Sequence, residues 1–138
     1  MNGIEILEKL IAFPTVSRDS NLDLIDYVRD LLDRHGIACQ IIPSDDGHKA
    51  NLFATIGPSG VPGVMLSGHT DVVPVDGQDW TLPPFELTER DGKLYGRGAA
   101  DMKGFIACAL AACIKASKMP LKTPLHLALS YDEEIGCI

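Results

Sequence analysis

Phe105–Ile114, FIACALAACI, is ten residues without a polar side chain and the longest such run in the chain. It is too short to span a bilayer and too uniformly apolar for a surface helix, so the spacing predicts a helix over Phe105–Ser117 covered on most sides. Its covering must come from the rest of the chain. Ile4, Ile6, Leu7, Leu10 and Ile11 fall on one face of a helix over residues 3–13, ended by Pro14. A second helix is capped by Asn21, carries Leu22, Ile25, Val28, Leu31 and Leu32 as its core stripe, and stops at Gly36. Ile37–Ile42 and Asn51–Ile56 read as strands around the polar turn SDDGHK, and Val64–Ser67 as a short buried strand. Phe85–Glu89 and Lys93–Tyr95 flank Arg90-Asp91-Gly92, a hairpin signal, and Leu125–Tyr131 is a last strand. Helices interleaved with apolar strands predict an α/β sandwich around a mixed sheet.

Twelve Lys and Arg against nineteen Asp and Glu give a net charge of −7. Nucleic acid and anionic membranes both need a basic face, so neither is an expected partner. The balance of 46% hydrophobic and 22% charged residues is that of a folded domain. Cys39, Cys108, Cys113 and Cys137 form no C-x-x-C and no zinc-finger spacing. Cys108 and Cys113, inside the apolar run, read as small core residues, and all four as reduced thiols of a cytoplasmic protein. The opening MNGIEILEKLIAF lacks the basic and apolar regions of a secretory signal. The ending DEEIGCI, apolar and uncapped, reads as a chain cut short.

Three clusters can carry chemistry: Ser67-Gly68-His69-Thr70-Asp71, Gly96 to Gly104 (GRGAADMKG), and Asp132-Glu133-Glu134. Each follows a predicted strand or precedes a helix, where open α/β sheets place their sites. One imidazole with several carboxylates suits zinc, cobalt or manganese. In an extended segment His69 and Asp71 point to one side, as a metal-bound imidazole steadied by a carboxylate requires, although a loop histidine beside a turn-capping Asp has the same spacing. Asp101 is either the N-cap of the apolar helix or a carboxylate bridging two ions, with Gly96, Gly98 and Gly104 allowing a tight backbone path. Glu133 and Glu134 face opposite ways if the strand direction persists. They are either solvated surface acids or one metal ligand beside one general base. Asp132 reads as a solvated acid.

Other residues signal less. His35 ends a helix, His48 lies in a turn and His126 starts a strand; Lys103 and Arg97 fit helix-end and surface pairing as well as anion contact. GRGAADMKG lacks the phosphate-loop pattern, and there is no G-x-S-x-G nucleophile elbow.

Taken together, SGHTDVVP, then WTLPPF with DGKLYGRGAADMKG, then SYDEEIGC resemble the dizinc aminoacylase/carboxypeptidase family, over essentially the whole chain. VPVDGQDW, MKGFIACALA and LALSYDEEIGC are most similar to its acetylornithine deacetylases, and PPFELTERDGKLYGRGAADMKG is nearly as similar to its succinyl-diaminopimelate desuccinylases. The resemblance implies a zinc-dependent exopeptidase-like α/β fold with a mixed, mostly parallel sheet flanked by helices. Residues 1–138 would be the N-terminal portion of the catalytic domain, without its remainder or the lid-like dimerisation domain. It implies His69 and Glu134 as private ligands of two Zn²⁺ ions (Co²⁺ as a substitute), Asp101 as their bridge, and a cis peptide at Asp101–Met102. Asp71 would orient His69, and Glu133 would be the general acid/base. The substrate implied is a small N-acyl amino acid, N2-acetyl-L-ornithine first and succinyl-diaminopimelate second, and the parent a cytoplasmic homodimer of arginine biosynthesis. With two ligands missing, the 138 residues alone are expected to be apo or weakly loaded and inactive, and an exposed sheet edge to favour self-association. The rival reading is a non-catalytic metal-binding or structural fragment.

Overall fold

A computed structural model describes residues 1–137. Helix α1 spans Gly3–Ala12 and begins with a reciprocal cap, in which the Asn2 side chain accepts from the Glu5 N–H and the Glu5 carboxylate accepts from the Asn2 N–H. Its buried face is Ile6, Leu7, Leu10 and Ile11. Helix α2, Leu22–Asp33, buries Leu24, Ile25, Val28, Leu31 and Leu32, as its periodicity predicts. Asn21 precedes it but makes no side-chain cap. Its amide instead donates to the Ala50 carbonyl and to Thr70 Oγ1, and its Oδ1 accepts from the Ala50 N–H. A buried amide with backbone groups to satisfy gains more from these bonds than from one exposed cap.

Strands β1 (Cys39–Pro43), β2 (Ala50–Ile56), β3 (Val64–His69) and β6 (Leu125–Ser130) form one sheet in the order β1-β2-β6-β3. The hairpin β4 (Thr88–Arg90) and β5 (Lys93–Tyr95) stands apart. It turns at Asp91-Gly92, both at positive φ, the primed turn that a two-residue loop favours. The sheet is mixed, as expected, but the balance differs from the mostly parallel arrangement. β1 with β2 and β2 with β6 are antiparallel, and β3 with β6 alone is parallel. The reason is connection length. A tight turn joins β1 to β2, whereas a parallel return needs a long crossover, and here α3 (Lys103–Ala116) provides it between β3 and β6.

The core is one cluster, in which α2 and α3 meet the sheet face carrying Ala50, Leu52, Ala54, Leu127 and Leu129, and α1 packs on α3. The opposite face, with Phe53 stacked on His126, is more open, so the expected sandwich is two-layered among the described residues. β3 is an edge strand whose Val64 and Met65 are exposed, not buried as expected. Within α3, Cys113 is buried but Cys108 and Phe105 face outward, because α1 and the sheet cover only part of the helix. No helix among the described residues is long and apolar enough to cross a membrane.

Candidate metal centre

The parallel pair fixes where the site forms. His69 is the last residue of β3 and lies opposite Ser130, the last of β6. The segments leaving these two carboxyl ends, Thr70–Val72 and Tyr131–Glu134, therefore start side by side. A third segment joins them from below. Val16 bridges Val72 in parallel, the Thr15 hydroxyl donates to the Thr70 carbonyl at 2.6 Å, and Thr70 Oγ1 donates to the Ser130 carbonyl at 2.9 Å.

Within this frame Asp71 is 3% exposed and its carboxylate is saturated. Oδ2 accepts from Ser17 Oγ at 2.5 Å and from the Glu134 N–H at 3.2 Å, and Oδ1 accepts from the Glu133 N–H at 3.2 Å. His69, 5% exposed, turns Nδ1 toward two oxygens of the same residue, the Asp71 carbonyl at 2.9 Å and Oδ1 at 3.3 Å. Both can only accept, so Nδ1 carries the proton and Nε2 presents its lone pair. The main-chain oxygen of Asp71 thus lies nearer to Nδ1 than the carboxylate expected to steady the ring.

Nε2 looks onto carboxylates, with Asp101 Oδ1 at 3.0 Å and Glu133 Oε2 at 3.5 Å. A lone pair facing two anions is repulsive unless a proton or a cation lies between them. The histidine responds accordingly. Burial lowers its pKa, but the Asp71 carbonyl, then Asp101, then the charges of Asp71 and Glu133 outweigh burial and raise it. Glu134 also holds its proton more tightly, through burial first and then repulsion from Asp101, Glu133 and Asp71, against the pull of His69. One donor atom each from His69, Glu133 and Glu134 lie within 4.8 Å of one another. Imidazole nitrogen with carboxylate oxygens is a donor set that divalent zinc accepts, so the residues present fit such an ion.

The structure decides between some readings of the sequence and corrects others. Asp101 is not a helix cap: Met102 holds that position without a side-chain cap, and the Asp101 carboxylate is 75% exposed. The Asp101–Met102 peptide is cis, as the resemblance implies. Gly104 is required where this turn meets α3, because a Cβ there would lie 2.3 Å from the Ala99 carbonyl oxygen. Glu133 and Glu134 do not continue the strand. Asp132 adopts φ +61°, and a 3₁₀ turn over Glu133–Ile135 carries both glutamates to the same side. Asp132 is itself buried and ion-paired with Lys49 at 2.5 Å, not solvated. Lys103 is fully buried, with Nζ donating to the Phe13 carbonyl at 2.6 Å, and burial pulls its pKa down to about 7. Arg97 stacks on Trp80, 5.1 Å from its ring centre, and donates to Gln78. His126 bonds Thr55 on the open sheet face and takes no part. Ser17, Lys49 and Asn21 were missed, since nothing in a loop serine or a turn lysine announces a partner fifty or more residues away.

Residues 65–138, which hold all three clusters, match the family described as peptidase family M20/M25/M40. The chain belongs to this family. It is 44% identical to an acetylornithine deacetylase of Shigella sonnei (strain Ss046), a match covering 95% of this chain and 36% of the relative. Two solved structures share its fold closely. Human carnosine dipeptidase 1 has a TM-score of 0.83 at 27% identity, covering 99% of this chain and 33% of that one. The M20 family metallo-carboxypeptidase Sso-CP2 from Sulfolobus solfataricus has a TM-score of 0.85 at 25% identity, covering 99% and 32%. The chain thus spans about a third of the length of these relatives.

Proposed function

We propose that these residues form the metal-holding part of an amidohydrolase that deacetylates N2-acetyl-L-ornithine to ornithine and acetate. The observation that carries this reading is the convergence of His69, Glu133 and Glu134 donor atoms within 4.8 Å, beside Asp101, in a chain 44% identical to an acetylornithine deacetylase. His69 Nε2, Asp101 and Glu134 would hold two Zn²⁺ ions, with Co²⁺ as a substitute. Bound zinc supplies a Lewis acid that polarises the amide carbonyl and makes water acidic near neutral pH. Asp71 and its carbonyl hold the His69 ring with Nε2 outward. Glu133, 52% exposed beside His69 Nε2, takes a proton from the attacking water and returns it to the leaving amine nitrogen. The remaining ligands and the groups that read the acyl chain would come from a longer chain. On this reading the 138 residues alone bind metal weakly and do not turn over. The activity belongs to arginine biosynthesis in the cytoplasm, in a homodimeric parent.

The test compares N2-acetyl-L-ornithine, N-succinyl-diaminopimelate and an unblocked dipeptide as substrates of the zinc-loaded full-length protein. Preferred release of acetate supports the proposal. Preferred release of succinate moves it to the desuccinylase reading, which PPFELTERDGKLYGRGAADMKG favours. No hydrolysis of any amide by the loaded protein sinks it.

A further inference from the structure

Lys49 opens β2's approach to the sheet, outside all three clusters, yet its ammonium is tied to the site's framework. Nζ donates to Asp132 Oδ1 at 2.5 Å and to the Ser17 carbonyl at 2.6 Å, and lies 5.8 Å from the Tyr131 ring centre. The side chains of Lys49 and Asp132 are largely buried, at 18% and 11% exposure. The two partners of Lys49 lead by separate routes to the same carboxylate. Asp132 immediately precedes Glu133 and Glu134, whose N–H groups donate to Asp71. Ser17, whose carbonyl Lys49 holds, donates its hydroxyl to Asp71 Oδ2. The contacts close a ring: Lys49, Asp132, the Glu133–Glu134 backbone, Asp71, Ser17 and back to Lys49.

We infer that Lys49 is a positioning residue, which sets the angle of the Glu133–Glu134 turn toward His69 by closing this ring. Three loops meet here, and the ring ties the turn to the other two. Asp132 sits at positive φ, an unfavourable conformation for a residue with a side chain, and the ion pair with Lys49 holds it there. Without the ammonium, Asp132 is a buried anion without its counter-ion, and the turn gains a reason to swing toward water. Asp71 then loses the fixed pair of N–H donors that balance its charge. The effect reaches the metal ligands although Lys49 touches none of them. This inference rests on the metal reading above only for its functional consequence; the ring itself does not depend on it.

The experiment uses Lys49→Met, Lys49→Arg and Asp132→Asn in the full-length protein. Hydrogen exchange of the Glu133 and Glu134 amides, followed by NMR without metal, should quicken about tenfold in Lys49→Met and remain near wild type in Lys49→Arg. Zn²⁺ affinity should fall about tenfold and the visible spectrum of bound Co²⁺ should change, the size expected for a group that orients ligands. kcat should drop with KM little altered. Asp132→Asn, which keeps the shape, should reproduce these effects, and the double variant should be no worse than either single one. A role in general stability alone would lower the melting temperature and leave the Co²⁺ spectrum and amide protection of the folded protein unmoved; that result overturns the inference. If wild-type protein takes up no metal, the proposed function fails, and the amide exchange still decides the ring.

Discussion

Two halves of the site are built in opposite ways. His69 and Asp71 are 5% and 3% exposed, held by a strand end, a parallel bridge, the Ser17 hydroxyl and the Glu133–Glu134 backbone. The carboxylates of Asp101 and Glu133 are 75% and 52% exposed, and each touches the buried half mainly through His69 Nε2. The closed half spends folding energy on orientation, because its polar side-chain atoms other than His69 Nε2 already have partners. The open half keeps its charges together without such compensation, and a proton or a cation relieves them. Stability and chemistry are therefore divided between residues that lie within a few ångströms of each other.

Four substitutions in the full-length protein probe that division. Glu133→Gln, in the open half, should retain metal and lose at least about a hundredfold in turnover, the lower range for a general acid–base group. Steady-state kinetics with metal analysis checks this, and near-normal turnover removes Glu133 from its role. Asp71→Ala, in the closed half, should cost about 2–3 kcal/mol of stability, since it strands three donors that now reach a charged acceptor. Urea unfolding with an unchanged midpoint would erase the contrast between the halves.

Lys103 marks the floor beneath the closed half, and its effect depends on pH. Its folded pKa, about 7, lies below the ordinary 10.5, so the unfolded chain binds the extra proton between those values. Stability must then rise with pH through that window, while below about 7 both states are protonated and the burial penalty is full. Relative to Lys103→Met, the wild type should gain about 1 kcal/mol from pH 7 to 8, read from paired denaturation curves. Parallel curves would mean that Lys103 is not forced toward its neutral form. The smallest effect is expected of Asp101→Asn, within about 0.5 kcal/mol of wild-type stability but with weakened zinc binding. Calorimetry of unfolding and of zinc binding separates the two quantities, and a large stability loss would place Asp101 in the closed half.

Much of this arrangement was legible before folding was considered, and the reason differs by residue. The helix stripes of α1 and α2 and the Asp91-Gly92 turn follow from periodicity and local backbone preference, which act over a few residues. His69, Asp101 and the twin glutamates stood out because chemistry-bearing residues were clustered in short motifs. Asn21, Ser17, Lys49 and Asp132 did not, because their partners are set by tertiary contacts across separations of 29 to 83 residues. The direction of β2 against β6 and the outward turn of Cys108 depend on which elements happen to neighbour them, a property no local pattern encodes. Lys103 carried a weak signal, since a lysine at the mouth of an all-apolar helix has little surface nearby to reach.

The crossover from β3 through α3 to β6 has a further consequence. His69 ends its first strand, Asp101 stands just before its helix, and Glu133 and Glu134 follow its second strand. All the proposed cation-binding groups are thus threaded on one continuous right-of-way, while the β1–β2 hairpin is reached by a separate detour. Insertions at the tip of that hairpin, around Asp45–Gly47, lengthen the detour without altering the spacing of the donors. A lineage could lengthen that corner, provided Lys49 keeps its hold on Asp132, and inherit the ion-holding unit as a block.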